Sequence, residues 1–464
     1  MASSLRSVLR RGAAVILLGV AAFAVYWPSG LASDGRLALF AFLGAAIGWI
    51  LTRIEPAWIA LTAALFLVLS GAADSDTLFS ALGSDIVWLI IGAFMLGAAI
   101  QETGLASRFT TALMPGSTRV DQLMWRLNIG LIPLALVLPS TSGRAAVVRP
   151  LYDSLAEAAD DRRIARAFGL LFPAVITIST VASLIGAGSH LVADHMLGRI
   201  AGEHIGFGSW LIWGLPLGIA ASLLATGVIA YLYLDGEQRA RRLTPATEAL
   251  GPLSSAEWRT LAIAGVMIAL WLSESWQPLG VALVAVLGAA ALTSPGLGPI
   301  DWKTGIHAVS WNLVVFVAAA LMLGHALLDS GAAPWIVDRL MAVSGLQEGR
   351  ATLVILAALI LIGVTSHLYM ISHTARAAAL LPPLLAIAGR LDLDATAVVF
   401  ITSLAMDYCL TLPVSSKAIL VFYDDDAPWN AADLIGLSAV LAPLFSLLMV
   451  GFYYGYWQFV GLAL

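Results

Sequence analysis

The chain has 464 residues, 60% of them hydrophobic and 11% charged, where soluble domains hold about 45–50% and about 25%. Apolar runs of roughly 18 or more residues recur along almost its whole length, which marks an integral membrane protein and excludes a soluble domain of useful size. A net charge of −5 gives no reason to expect a nucleic-acid partner, and the single cysteine, Cys409, excludes an internal disulfide; with no Cys/His ligand spacing, neither a metal nor another cofactor is expected.

The amino-terminal stretch "MASSLRSVLRRGAAVILLGVAAFAVYW" places basic residues before an apolar run, as a signal peptide does. Its cleavage pattern is weak and its apolar run long, so it reads as a retained first helix. The hydropathy pattern predicts spans over 12–30, 35–52, 56–72, 85–103, 165–197, 208–234, 259–274, 277–294, 310–330, 393–423 and 433–461, giving an all-α integral membrane fold of about 11 transmembrane helices. Two apolar stretches remain, 122–158 and 350–388, each broken by Pro and Ser near its middle. Each is too short for two spans and reads as a re-entrant helical hairpin, since broken backbone at membrane depth must be buried in protein or line a cavity.

Charge placement orients this arrangement. With a cytoplasmic amino terminus, the inner side holds 15 of the 24 lysines and arginines and the outer side only Arg36, Arg199, Arg339, Arg350 and Arg390, with Arg144, Arg149, Arg376 and Lys417 set aside. The asymmetry predicts that orientation, in the cell's inner (plasma) membrane. After the first helix (1–34), three helices, a hairpin and two helices (35–234) are followed, beyond a charged cytoplasmic linker at 235–258, by the same series again (259–464). An odd number of full spans per copy makes the copies inverted repeats, an architecture of secondary transporters that bind substrate near the midplane. Tryptophans near span ends, among them Trp27, Trp49, Trp58, Trp302 and Trp311, read as an interfacial belt.

The two hairpins carry a repeated motif. In "STSGRAAVVRP" (140–150) and "SHTARAAALLPP" (372–383), Ser140, Arg144, Ala145, Ala146 and Pro150 fall at the same offsets as Ser372, Arg376, Ala377, Ala378 and Pro382. An intramembrane arginine is costly and functional by default. Arg144 and Arg376 are therefore expected to face one another across the pseudo-twofold axis and clamp an anion, each gripping a carboxylate or sulfonate with paired hydrogen bonds. Ser140, Ser142, Ser372 and Thr374 would add hydroxyl donors, and helix amino termini a favourable dipole. The blander possibility is an arginine that snorkels to water or caps the tip carbonyls, and for Arg149 that is the favoured reading.

These motifs resemble the paired Ser-Asn-Thr signatures of the divalent anion:sodium symporter family, each followed by a small-residue run and a Pro. "SDIVWLIIGAFMLGAAIQETGL" (84–105) and "WNLVVFVAAALMLGHALLDSGA" (311–332) resemble the helix that precedes each hairpin in that family. The resemblance implies an elevator-type transporter, usually a homodimer, in which the tips and the unwound segments beyond them hold sodium and the substrate carboxylates. It assigns tip roles to Ser140, Thr141, Ser142, Ser372, His373 and Thr374, and ion-site neighbourhoods to "GAGSHL" (186–191), with Gly188, Ser189 and His190, and "PVSSKAIL" (413–420), with Ser415, Ser416 and Lys417. The chain departs from the pattern: both tips lack the asparagine, and His190 and Lys417 approach the later asparagine positions.

Each expected sodium neighbourhood has thus lost neutral oxygens and gained a nitrogen side chain, and a nearby fixed cation repels Na⁺. The expectation is secondary transport of divalent or trivalent anions, such as di- or tricarboxylates or sulfate, without sodium, by exchange or with protons. A sodium-coupled dicarboxylate symporter is the alternative within transport, and an intramembrane hydrolase using Ser140 or Ser372 with a histidine is the alternative outside it. Asp407 is expected either to pair with Lys417, should the helix unwind around Pro413, or to bridge to Arg376. His190, His367 and His373 are candidate proton carriers, and Asp194 and His195 are expected at the solvated outer surface.

Overall fold

Lipid-embedded backbone is satisfied by helices or closed barrels, and this chain forms helices almost throughout. The computed structural model describes residues 16–464 apart from 24, 27–29, 53, 115, 245–250, 345–351 and 424–426. Residues 16–23 and 25–26 are helical, within the first predicted span. Arg6, Arg10, Arg11, Arg53, Arg350, Trp27 and the acidic triplet at 424–426 lie outside the described residues.

The first series comprises α1 (Ser33–Leu51), α2 (Pro56–Leu69), α3 (Ser75–Leu82), α4 (Asp85–Glu102) and α5 (Leu105–Ala112). A two-residue strand, β1 (Thr118–Arg119), leads into a hairpin of α6 (Val120–Leu131), the single turn α7 (Leu134–Val137) and α8 (Thr141–Ala159). Then come α9 (Arg162–Ile178), α10 (Gly188–Ala201) and the long α11 (Phe207–Tyr233). The linker is not featureless: it holds α12 (Gly236–Ala240) and β2 (Arg242–Leu243), which pairs antiparallel with β1, Thr118 opposite Leu243 and Arg119 opposite Arg242. The second series runs α13 (Ser255–Leu272), α14 (Val281–Leu292), α15 (Trp302–His307), α16 (Trp311–Asp329) and α17 (Ala332–Ser344). A second hairpin, α18 (Thr352–Thr365) and α19 (His373–Arg390), is followed by α20 (Ala395–Asp407), α21 (Lys417–Val421) and α22 (Ala431–Gly455).

Eight helices among the described residues are long and apolar enough to cross a membrane, and four shorter apolar ones, including α2 and α14, accompany them. Two predicted spans are corrected. The stretch 165–197 divides into α9 and α10, joined by 3-10 turns at Ser179–Ala182 and Leu184–Gly186, and 393–423 divides into α20 and α21 around the turn Pro413–Ser415. An unbroken apolar pattern hides such breaks, because hydropathy reports burial and not backbone hydrogen bonding. Trp49 also departs from the interfacial belt: it is buried, lies tilted against the Phe316 ring at 5.7 Å and donates to the Pro56 carbonyl at 3.2 Å, whereas Trp58, Trp302 and Trp311 are exposed.

Packing exchanges partners between the two series. In one group of helices α4 lies along α14 and α16 along α2; in the other α8 packs on α21 and α19 on α10. The second group also contains α9, α11, α18, α20 and α22, and it carries the candidate site. Its core is tightly filled, with Phe168, Phe172, Phe400 and Trp210 fully buried.

Candidate functional site at the hairpin tips and helix breaks

The two tips are built alike. Ser140 caps α8 and accepts from the Gly143 amide at 3.1 Å; Ser372 caps α19 and accepts from the Ala375 amide at 3.3 Å. In each, the capping hydroxyl meets a second hydroxyl two residues on, Ser140 to Ser142 at 3.0 Å and Ser372 to Thr374 at 3.0 Å. Serine suits this place because its short side chain satisfies an amide that the first helical turn leaves without a partner. Thr141 and His373 are the first helical residues, half-buried like the capping serines. Each tip so presents the positive end of a helix beside a hydroxyl pair, which suits an anion.

One turn beyond each cap, the repeated arginine points inward, and both Arg144 and Arg376 are fully buried. Arg144 Nη2 donates to Thr180 Oγ1 at 2.8 Å and to the Gly186 carbonyl at 3.0 Å, both in the break between α9 and α10. Its Nε and Nη1 make no hydrogen bond within the protein. Arg376 is less engaged: Nη1 reaches Ser366 Oγ at 3.5 Å, and Nε and Nη2 have no protein partner. A buried guanidinium with spare donors is expensive, and the site holds two of them in corresponding positions.

Asp407 ends α20 at the second break and interacts electrostatically with both arginines. Its partner is neither Lys417 nor Arg376 but His190 on α10, whose Nε2 lies 2.5 Å from Asp407 Oδ2 with both residues buried. Lys417 is exposed at the start of α21 and Asp407 is enclosed, so the proposed Lys417 pair does not form. His190 Nδ1 lies 2.9 Å from the Ser183 carbonyl. A carbonyl only accepts, so Nδ1 carries hydrogen and Nε2 and the carboxylate share whatever proton lies between them. His373 Nδ1 stands 3.6 Å from Asp407 Oδ1, while His373 Nε2 meets Cys409 Sγ at 3.4 Å. Trp210 from α11 packs on the His190 ring at 4.5 Å and anchors the first break by donating to the Val181 carbonyl at 3.1 Å.

The remaining candidates fall around these groups. A Cβ on Gly188 would sit 3.3 Å from Thr374 Cγ2, so the amino terminus of α10 adjoins the second tip. Ser189 and Ser415 have buried hydroxyls without a protein partner, and Ser416 caps α21 by accepting from the Ala418 amide at 3.2 Å. His367 is held between the Val364 carbonyl at 2.6 Å and Thr411 Oγ1 at 2.7 Å, in a packing role. Arg149 pairs with Asp153 at 2.7 Å and donates to the Val421 carbonyl, clamping α8 to α21. Asp194 and His195 are half-buried rather than solvated, and Asp194 accepts from the Ile205 amide at 2.6 Å. Neither Ser140 nor Ser372 touches a histidine ring in the hydrogen bonds recorded for it, and the nucleophile–base contact of a hydrolase is not made. Sequence reasoning overlooked Thr180, Ser183 and Ser366 and placed Gly186 only within an ion-site neighbourhood; all four receive hydrogen bonds, and small neutral residues in an apolar run give no signal of that.

Comparison with known proteins agrees with this architecture. A protein of Cupriavidus necator described as a membrane protein is 27% identical over 397 residues, covering 80% of this chain and 74% of that one. An L-tartrate/succinate antiporter of Escherichia coli is 25% identical over 393 residues, covering 78% and 80%. Among solved structures, the Neisseria gonorrhoeae MtrF efflux pump aligns with a TM-score of 0.56 at 13% identity, over 96% of this chain and 94% of that one. The Alcanivorax borkumensis YdaH transporter aligns with a TM-score of 0.53 at 16% identity, over 84% and 88%. At these identities the two structures bear on the fold alone, that of membrane transporters. The description "Sodium:sulfate symporter transmembrane region" matches residues 6–463, and with a match of that extent, joined to the duplicated tips and breaks, the chain belongs to the sodium:sulfate symporter family of anion transporters.

Proposed function

We propose that this protein exchanges small dianions across a bacterial inner membrane, without sodium, using Arg144 and Arg376 as built-in positive charges. The observation that carries this reading is the placement of Arg144. Its guanidinium takes the Thr180 hydroxyl and the Gly186 carbonyl, neutral oxygens of the kind a bound Na⁺ requires, and it repels a cation placed beside it. Arg376 lies at the corresponding place behind the second tip. A dianion seated on the two hydroxyl pairs meets two helix amino termini and is balanced by two fixed charges.

An empty site keeps both charges, which makes its passage through a low-dielectric environment costly; return with a second anion removes that cost, and so exchange is favoured over net uptake. The relatives named as L-tartrate/succinate antiporters support a dicarboxylate substrate of that class. An amino terminus in the cytoplasm, a homodimeric assembly and an elevator-like excursion of the group of helices that bears the tips belong to the same proposal.

The test is uptake of labelled L-tartrate into proteoliposomes loaded with unlabelled dicarboxylate, in choline against sodium buffer. Equal rates in the two buffers, with no uptake into unloaded vesicles, are expected. Strict dependence on sodium overturns the assignment.

A further inference from the structure

We infer that His373, Asp407 and His190 form a binding site for one exchangeable proton, opening onto the anion site through His373, so that a dianion and a proton bind each other's state of the protein more tightly. The inference rests on the anion-binding reading above and adds to it a second ligand. Three observations lead here. His190 Nδ1 is committed to the Ser183 carbonyl at 2.9 Å, which fixes the tautomer and directs Nε2 at Asp407 Oδ2, 2.5 Å away. That leaves Oδ1 as the free face of a fully enclosed carboxylate, without a hydrogen-bond partner. The one titratable ring aimed at Oδ1 is His373, whose Nδ1 is 3.6 Å distant and likewise without a partner. A movement of about 0.6 Å brings these atoms to hydrogen-bond distance. Unlike the other two, His373 retains 17% side-chain exposure and sits between Ser372 and Thr374 in the tip itself.

The charged and titratable surroundings come from every element packed on the group. Arg144 approaches from α8, Arg376 from α19 and Cys409 from the segment after α20. His367 acts on His373 from the end of α18, and from α11 the contact is the Trp210 ring. The two arginines oppose a positive charge on His373 and Asp407, 3.6 Å away, favours it. A dianion on the tip hydroxyls tips that balance toward imidazolium. By reciprocity, a proton on His373 strengthens the hold on the dianion. His373 is thus a residue of the binding site, and His190 is a positioning residue that acts through the orientation of Asp407.

The experiment adds L-tartrate, which is fully ionised near neutral pH, to purified protein in weakly buffered detergent solution containing a pH-sensitive dye. Uptake of up to about one proton per bound anion is expected near pH 6.5, the ordinary range of histidine, falling away at more alkaline pH. Tartrate affinity, from calorimetry, is expected to tighten about tenfold as the pH falls through that range, the size of a typical coupling between two sites. His373→Gln should flatten this profile whatever its absolute affinity, and Asp407→Asn should shift its midpoint. Tartrate binding by the wild type with no proton uptake from about pH 5.5 to about pH 8 overturns the proton site and leaves the arginine-based reading standing. Failure to bind L-tartrate, succinate or sulfate at all overturns both.

Discussion

Replacing Arg376 by methionine separates a guanidinium that serves a ligand from one that serves the fold. Arg376 makes one hydrogen bond, at the 3.5 Å limit, and two of its nitrogens have no hydrogen-bonding partner, although Asp407 and Cys409 act on its charge. Methionine keeps most of the buried volume and loses about 1.5 kcal/mol of charge-assisted hydrogen bonding, while the cost of holding an ion out of water, several kcal/mol, disappears. Unliganded Arg376→Met is therefore expected to melt at or above the temperature of the wild type. The liganded protein behaves oppositely. Ser372 and Arg376 are one helical turn apart, and about 6 Å, the spacing of neighbours one turn apart on a helix, is taken as the distance between an anion on the Ser372 hydroxyl and the charge. At an effective dielectric of about 20 the lost attraction is about 3 kcal/mol for each negative charge, or at least about a hundredfold in affinity. At an anion concentration about 100 times the wild-type Kd, ligand stabilisation of about 2.7 kcal/mol in the wild type falls to about 0.4 kcal/mol in the variant. Melting curves followed by tryptophan fluorescence, with and without L-tartrate, measure both quantities. A variant that melts lower but responds fully to the anion makes Arg376 a structural residue and refutes the reasoning.

Two further outcomes are expected. Gly186→Ala places a Cβ 2.5 Å from the Thr180 carbonyl and must push apart the turn that holds both acceptors of Arg144; a destabilisation of about 1–3 kcal/mol with a larger relative loss of anion-induced stabilisation should appear in the same melting assay, and a fully preserved anion response would show that the turn geometry is immaterial. The hydrogen bond with Asp194 raises the affinity of His204 for its proton despite partial burial; its contribution to the loop after α10 is fully present below about pH 6.5 and is lost as pH rises through the elevated value, so His204→Gln should flatten that part of the stability–pH profile, and an unchanged profile would exclude the interaction.

The duplicated plan was legible because each copy spells its essentials locally. Ser140 and Arg144, like Ser372 and Arg376, are separated by one turn, and the cap, the helix and the inward arginine all follow from residues within that turn. The breaks were visible only through the family resemblance: residues 179–187 are as apolar as a continuous helix, and what stops the helix is where their carbonyls find donors, among them Arg144 and Trp210 from other elements. Asp407 stood out as a charge in an apolar run, yet its partner is 217 positions away, and spacing along the chain carried no trace of it. Lys417, ten residues on, was the nearer choice in sequence, but the turn at Pro413–Ser415 carries it to the surface. Helices as short as α3 and α5, with eight residues each, hold too few turns for a periodic signal to emerge.

The small ribbon formed by β1 and β2 joins the chain where it enters the first hairpin to the chain where it leaves α11, and Arg242 strengthens the join by donating to the Ser117 carbonyl at 3.4 Å. Everything from Val120 to Arg241 is therefore a lobe closed at its neck. The acceptors of Arg144, Thr180 and Gly186, lie within the same lobe, so these hydrogen bonds need no residue of the second series. The counter-charge Asp407 and the packing partners α19 and α21 come from the second series, so the half-site is completed only where the two series meet.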